Sequence, residues 1–151
     1  MLIGIISDTH GLLPVPVLDA FAGVSHILHA GDVGDSSVIE RLETIAPVTA
    51  VRGNTDRGEL KQRLADSELV ELAGHGVLLA HSRGMLADLG LPEGVDVVVT
   101  GHTHRASVEH RAGVLYLNPG SAGAPGRDGR GPSVAVLDCS GDDPVAQIIR
   151  L

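Results

Sequence analysis

Five short apolar runs in this chain each end abruptly in a carboxylate, imidazole or amide side chain. That repeated ending limits the available folds more than any other feature. Leu2-Ile3-Gly4-Ile5-Ile6 runs through Ser7 into Asp8-Thr9-His10-Gly11, and Ile27-Leu28-His29-Ala30 runs into Gly31-Asp32. Val48-Thr49-Ala50-Val51 leads to Gly53-Asn54, Val77-Leu78-Leu79-Ala80 to His81, and Val97-Val98-Val99-Thr100 to Gly101-His102-Thr103-His104. Runs this short, rich in Ile and Val and bounded by glycine, read as buried strands. In extended backbone, residues i and i+2 point to the same side, so Asp8 and His10 can reach one ion. Open α/β sheets bind ligands just beyond the carboxyl ends of their strands, so five such endings predict one convergent site.

Between the runs, the punctuation predicts helices over Pro14–Ala22, from an Asp35 or Ser36 cap to Ile45, over Asp56–Ala65 and over Met85–Leu91. Strand, helix, strand, helix, strand through Arg52 is the signature of parallel βαβ units. From Glu68 the pattern changes. Leu69–Leu72 and Val77–Ala80 flank Ala73-Gly74-His75-Gly76 as a hairpin, and Ala106–His110 and Val114–Leu117 flank Ala112-Gly113 as another. A loop rich in Gly and Pro covers Asn118–Pro132, followed by strands Ser133–Leu137 and Val145–Ile149. The expectation is a single domain over residues 1–151, with two sheets face to face and helices outside.

Charge and composition narrow the function. The formal net charge is −8, basic residues form no run, and Phe21 and Tyr116 are the only aromatic residues besides histidine. Binding a polyanion needs a basic surface and single-strand binding needs stacking rings, so dedicated nucleic-acid binding is not expected. No apolar stretch approaches the roughly 18 residues of a membrane span, and no secretory signal is visible, which places the expected location in the cytoplasm. The single cysteine, Cys139, excludes an internal disulfide and a thiolate zinc cluster; its apolar neighbours make it core filler. The chain's only two asparagines, Asn54 and Asn118, both stand in motif-like stretches.

The donors are Asp8, His10, Asp32, Asn54, His81, His102 and His104. Seven exceed what one transition-metal ion takes. They suit two divalent ions if one carboxylate bridges, and Asp32, the lone donor on a central strand end, is the natural bridge. Carboxylate, imidazole and amide oxygen favour Mn, Fe, Co, Ni or Zn. Two such ions would draw an anionic substrate to an otherwise acidic protein. Singly, each piece is weak, because a D-x-H triplet or a lone histidine is more often a hydrogen-bonded core or surface feature. The ordered set of five is specific.

In that order, Asp8-Thr9-His10, Gly31-Asp32, Gly53-Asn54-Thr55-Asp56, His81 and Gly101-His102-Thr103-His104 resemble the motif series of the calcineurin-like metallophosphoesterases. The short length and Asn118-Pro119-Gly120-Ser121 resemble its compact prokaryotic phosphodiesterase branch. The resemblance implies a four-layer αββα sandwich and a dinuclear centre. Asp8, His10, Asp32 and His104 would hold one ion, manganese first among the choices, and Asp32, Asn54, His81 and His102 the other. It also implies hydrolysis of a small phosphoester by a metal-bridging hydroxide. Asn54 and Asp56 are then candidates for assisting catalysis. Asn54, Thr55, Arg105, Asn118 and Ser121 are candidates for contacting substrate, and Arg127 and Arg130 read as solvated loop. Asp56 also reads as a helix cap, the reading the sequence favours.

One departure bears on mechanism. Many superfamily phosphatases carry, after the motif asparagine, a histidine proposed to protonate the leaving group. Here it is Thr55, which is no acid near neutral pH. Of the remaining histidines, His26 and His29 read as strand packing, with ligand orientation a second role for His29, and His75 and His110 read as surface. The alternative function is a non-catalytic scaffold on the same fold, similar to the retromer subunit of that architecture, and a homo-oligomer is compatible with either. A metallo-β-lactamase-like hydrolase would lead with an HxHxDH cluster, and none occurs.

Overall fold

The computed structural model describes residues 1–87, 90–124 and 126–151. In chain order the elements are β1 (Leu2–Ile6), α1 (Pro16–Ala20), β2 (His26–His29), α2 (Ser36–Glu43), β3 (Val48–Ala50), α3 (Glu59–Arg63), β4 (Ser67–Leu72), β5 (His75–Ala80), α4 (Arg83–Ala87), β6 (Val95–Val99), β7 (Ser107–Arg111), β8 (Val114–Asn118), β9 (Ser133–Asp138) and β10 (Val145–Arg150). Asp88 and Leu89, in the helix expected over Met85–Leu91, and Pro125, in the expected loop, lie outside the described residues.

The strands form two five-stranded mixed sheets, ordered β10-β9-β1-β2-β3 and β4-β5-β6-β8-β7. In the first, β1, β2 and β3 are parallel and β9 returns antiparallel beside β1, with Ile6 level with His29 and His29 level with Ala50. In the second, β5, β6 and β8 are parallel and the two hairpins supply the antiparallel edges. The parallel strands of each sheet therefore deliver their carboxyl ends together.

β1 is buried on both faces, which is why its sequence is continuously apolar rather than alternating. Ile3 and Ile5 join Leu28, Val77, Leu79, Val97, Val99, Leu115 and Leu117 between the sheets, while Ile6 joins Val17, Phe21, Val38, Ile39 and Leu42 under α1 and α2. Leu86 of α4 covers Leu78, Ala80, Val95 and Val98 on the far face of the second sheet. Four layers result, αββα. Gly4 admits this arrangement, because a Cβ there would stand 3.0 Å from the Phe21 ring. Cys139 is buried in the core, as its neighbours led us to expect, and burial pushes its thiol pKa up.

α1, α2 and α3 are shorter than expected, and α4 begins at Arg83, ahead of the expected Met85. α2 is capped by Asp35, whose carboxylate accepts from Ser37 N–H at 2.8 Å, and buries Val38, Ile39 and Leu42 before ending at Glu43. α3 spans Glu59–Arg63 with Gly58 ahead of it and no side-chain cap, so the helix-cap reading of Asp56 is corrected. His75 is also corrected: it begins β5 rather than lying in the turn. It is 9% exposed, with Nδ1 3.3 Å from Asp96 Oδ2 and Nε2 3.2 Å from the Gly141 carbonyl. His26 Nε2 bonds across to Thr49 Oγ1 at 2.9 Å, a structural role, and His110 is exposed on β7.

Candidate metal centre

Asp8 and His10 follow β1, Asp32 follows β2, Asn54 follows β3, His81 follows β5, and His102 and His104 follow β6. Five of these seven adopt left-handed backbone: Asp8 (φ 54°), His10 (47°), Asp32 (52°), His102 (69°) and His104 (57°). Among the described non-glycine residues only Ala73 and Ala112 share that region, each in a hairpin turn before a glycine. Left-handed backbone costs a non-glycine residue on the order of 1–3 kcal/mol and persists where surrounding contacts impose it. Here it turns each side chain back over the strand ends.

The contacts that impose it are visible. Asp8 N–H donates to the Gly31 carbonyl and His10 N–H to the Asp32 carbonyl, both at 3.0 Å, lacing the first two loops together. Across the sheets, His102 N–H donates to Asp8 Oδ2 at 3.0 Å, and within the second sheet Gly101 N–H donates to the His81 carbonyl at 2.9 Å. Ser7, invisible as a functional residue in the sequence, is fully buried and donates to Asp8 Oδ2 at 2.6 Å.

At the centre lie the carboxylates of Asp8 and Asp32, 0% and 3% exposed. Asp8 Oδ1 is 3.1 Å from His104 Nε2 and 3.9 Å from His10 Nε2. Asp32 Oδ2 stands between His10 Nε2 at 3.8 Å and His81 Nε2 at 3.4 Å. Ligand atoms of Asp8, His10 and His104 lie within 4.8 Å of one another, as do those of Asp8, Asp32 and His81. Asn54 Oδ1 is 3.0 Å from His81 Nε2, and the His102 ring meets the His81 ring edge-on with centroids 5.1 Å apart.

The electrostatics call for positive charge at this spot. His81 Nδ1–H donates to the Ala30 carbonyl at 2.7 Å, which aims Nε2 at the oxygens of Asp32 and Asn54. A backbone carbonyl on one ring nitrogen is how a metal-ligating histidine is commonly oriented. Burial works against charging this imidazole, yet the Asp32 hydrogen bond and then the Ala30 carbonyl leave its pKa raised. Burial likewise opposes ionising Asp32, but His81 and Thr55 hold its carboxyl far below the usual carboxylate range. A lone pair facing two oxygens suits a bound cation.

The remaining predicted residues divide. Thr55 N–H donates to Asp32 Oδ1 at 2.9 Å, and its exposed side chain borders the site with Asn54. Arg105 and Arg127 share a cleft with His102 and Thr103, so Arg127, expected to be solvated loop, stands beside the site. Asn118 is 4% exposed; its amide donates to the Gly101 carbonyl at 2.9 Å and to Thr103 Oγ1 at 3.1 Å, and its oxygen accepts from Gly120 N–H. Ser121 is fully buried and donates to the Asp8 carbonyl at 3.1 Å. Both brace the donor loops, and Asn118 also lines a cleft with His102, Thr103 and Arg105. Asp56 accepts from Gly53, Val33 and Gly34 N–H at 2.8, 3.2 and 3.0 Å, which makes it a clasp between two donor loops.

His29 does more than fill space in β2. It is fully buried, with Nδ1 accepting from Gly31 N–H at 3.2 Å and Nε2 3.0 Å from Thr9 Oγ1, which itself donates to the Val33 carbonyl at 2.8 Å. This chain joins the Asp8 and Asp32 loops and fixes the neutral tautomer. Burial pushes the His29 pKa from its ordinary 6.5 to about 4. The unfolded chain takes a proton near pH 6.5 that the fold refuses until about pH 4, so His29 removes stability as pH falls through that window. Urea midpoints of the metal-free protein should therefore fall between those pH values, and the fall should be shallower in His29→Gln.

These features define a class. Residues 1–142 match the family model of the calcineurin-like phosphoesterase superfamily domain, and the chain belongs to that family. It is 41% identical to a probable metallophosphoesterase of Methanothermobacter thermautotrophicus, over 99% of this chain and 92% of the relative. It is also 34% identical to phosphodiesterase YfcE of Escherichia coli, over 87% and 84% of the two chains. Among solved structures, an archaeal phosphodiesterase superposes with TM-score 0.79 at 28% identity, covering 99% of this chain and 100% of that one. Vacuolar protein sorting 29 of Cryptosporidium parvum, 23% identical, superposes at 0.82 over 99% and 91% of the chains and shares the fold.

Proposed function

We propose that residues 1–151 form one metallophosphoesterase domain acting as a phosphodiesterase on a small phosphoester. Two divalent cations would be held, one by Asp8, His10, Asp32 and His104, the other by Asp32, Asn54, His81 and His102. Manganese is the first choice, with Fe, Ni, Co or Zn as alternatives. The observation that carries this reading is the set of five donors held in left-handed backbone, two of them the buried carboxylates of Asp8 and Asp32.

Such a pair of ions, when bound, activates water and neutralises charge on the phosphoryl oxygens. The chain's own part is positioning. Ser7 and His102 N–H fix the Asp8 carboxylate, Thr55 N–H fixes that of Asp32, and the Ala30 carbonyl sets the His81 tautomer. Neutral Asn54 contributes an oxygen without adding negative charge. Arg105 and Arg127 flank His102, where their guanidinium groups can meet phosphoryl oxygens. With Thr55 after Asn54 and Asp56 committed to three amides, no side chain there stands ready to protonate a leaving group.

Two outcomes test this reading. Hydrolysis of bis-p-nitrophenyl phosphate should require manganese, disappear on chelation and return on adding the ion back. Failure at that step would favour the scaffold alternative. The lack of an acid further predicts that p-nitrophenyl diesters outrun matched alkyl diesters by about 10²-fold or more, the usual contribution of a general acid. Equal rates would place an unrecognised proton donor at the site.

A further inference from the structure

His102 borders three clefts, which between them carry Arg52, Arg57, Lys61, Arg83, Arg105 and Arg127. Six of the chain's eleven basic residues thus surround one histidine of a protein whose net charge is −8. The largest cleft, about 820 Å³, opens from Asn54, His81 and His102 toward α3 and is walled by Arg52, Arg57 and Lys61. Two acids also line it, but each is engaged. Asp56 is held by three backbone amides, and Asp66 accepts from Arg52 Nε at 2.6 Å. Arg52 is spent there too, its Nη1 donating to the Lys61 carbonyl at 2.8 Å. The Arg52 hydrogen bond holds the Asp66 carboxyl below the usual range, and Lys61 contributes only as a more distant charge. Among the described residues, Arg57 and Lys61 have no ion-pair partner.

We propose that Arg57 and Lys61 form a second anion subsite, so that the substrate is a phosphoester one of whose arms carries a further phosphoryl group. Two uncompensated cations match a dianion, and the cleft joins them directly to the site of hydrolysis. No aromatic ring other than His81 and His102 lines this cleft, so the arm is recognised by charge rather than by base stacking. The local positive wall also offsets the repulsion that an acidic protein imposes on an approaching polyanion. This inference rests on the phosphoesterase reading above.

Calorimetric titration in excess free manganese, with propane-1,3-bisphosphonate and propylphosphonate as size-matched probes, tests it. The wild-type protein should prefer the bisphosphonate by about tenfold, one charge-assisted contact after solvent screening. The preference should shrink as salt rises. It should vanish in the double variant Arg57→Ala/Lys61→Ala and survive in Arg57→Lys/Lys61→Arg. If both probes bind the wild type equally, or the double variant keeps the preference, the subsite is overturned and the phosphoesterase reading stands. If neither probe binds and bis-p-nitrophenyl phosphate is not hydrolysed, both readings fall.

Discussion

Asp32→Asn should lower kcat/KM for manganese-dependent hydrolysis of bis-p-nitrophenyl phosphate by about 10³-fold or more, the rate equivalent of several kcal/mol of lost charge stabilisation. The reason lies in where its oxygens stand. Oδ2 is shared between His10 and His81, which arrive from different sheets, while Oδ1 accepts from Thr55 N–H. An amide of the same shape keeps the fold but removes the negative charge and the second anionic oxygen. Bound manganese per chain, measured after dialysis, should fall with the rate. A variant that keeps both its metal content and its rate would remove Asp32 from the centre of the proposal.

Gly53→Ala should lower the free energy of unfolding by about 2–3 kcal/mol. A Cβ at this position would collide with the Asp32 amide nitrogen and Oδ1, with Asp32 Cγ 2.7 Å away. Two of those atoms belong to the carboxylate and one is backbone, so no flexible side chain can simply swing clear. The loop would separate from Asp32, loosening Thr55 N–H and the Asp56 clasp with it. Gly84→Ala is the control: a Cβ there meets nothing nearer than Ser82 Oγ at 3.9 Å, so stability should hold or rise by up to about 1 kcal/mol. Urea midpoints of the two variants should therefore move apart. If Gly53→Ala matches wild type in both stability and manganese dependence, the close approach of these loops is not what orders the site.

Much of this is written along the chain. The runs before Asp8, Asp32, Asn54, His81 and His102 read as strands because burial on one or both faces demands apolar residues, and that demand shows in the sequence. The turn pairs Ala73-Gly74 and Ala112-Gly113 likewise announce their hairpins. Helix lengths were less legible. Asp56 has the character of a cap, but its carboxylate bonds across space to Val33 and Gly34 rather than forward to α3, and residue type alone does not choose between those partners. Asn118 and Ser121 read as substrate contacts because they are polar in a motif-like loop. Their burial and their bonds to Gly101, Thr103 and Asp8 depend on how β8 and the following loop lie against the first sheet.

Glycine shows the same division. Gly31, Gly53 and Gly101 each stand directly before a candidate donor, where a sharp turn would be expected. Only Gly31 has positive φ, at 94°, whereas Gly53 and Gly101 are small because Asp32, Ser7 and Asp8 come too close for a Cβ. Residue order alone determined the class of fold, the strand ends and the set of candidate donors, since apolar periodicity and donor chemistry are local properties. Tertiary structure alone decided which donors face one another, that Ser7, Thr9 and His29 brace them, and that Arg57 and Lys61 form no ion pair among the described residues. Those outcomes depend on distances between residues far apart in the chain, and such distances exist only once two sheets have closed on a common core.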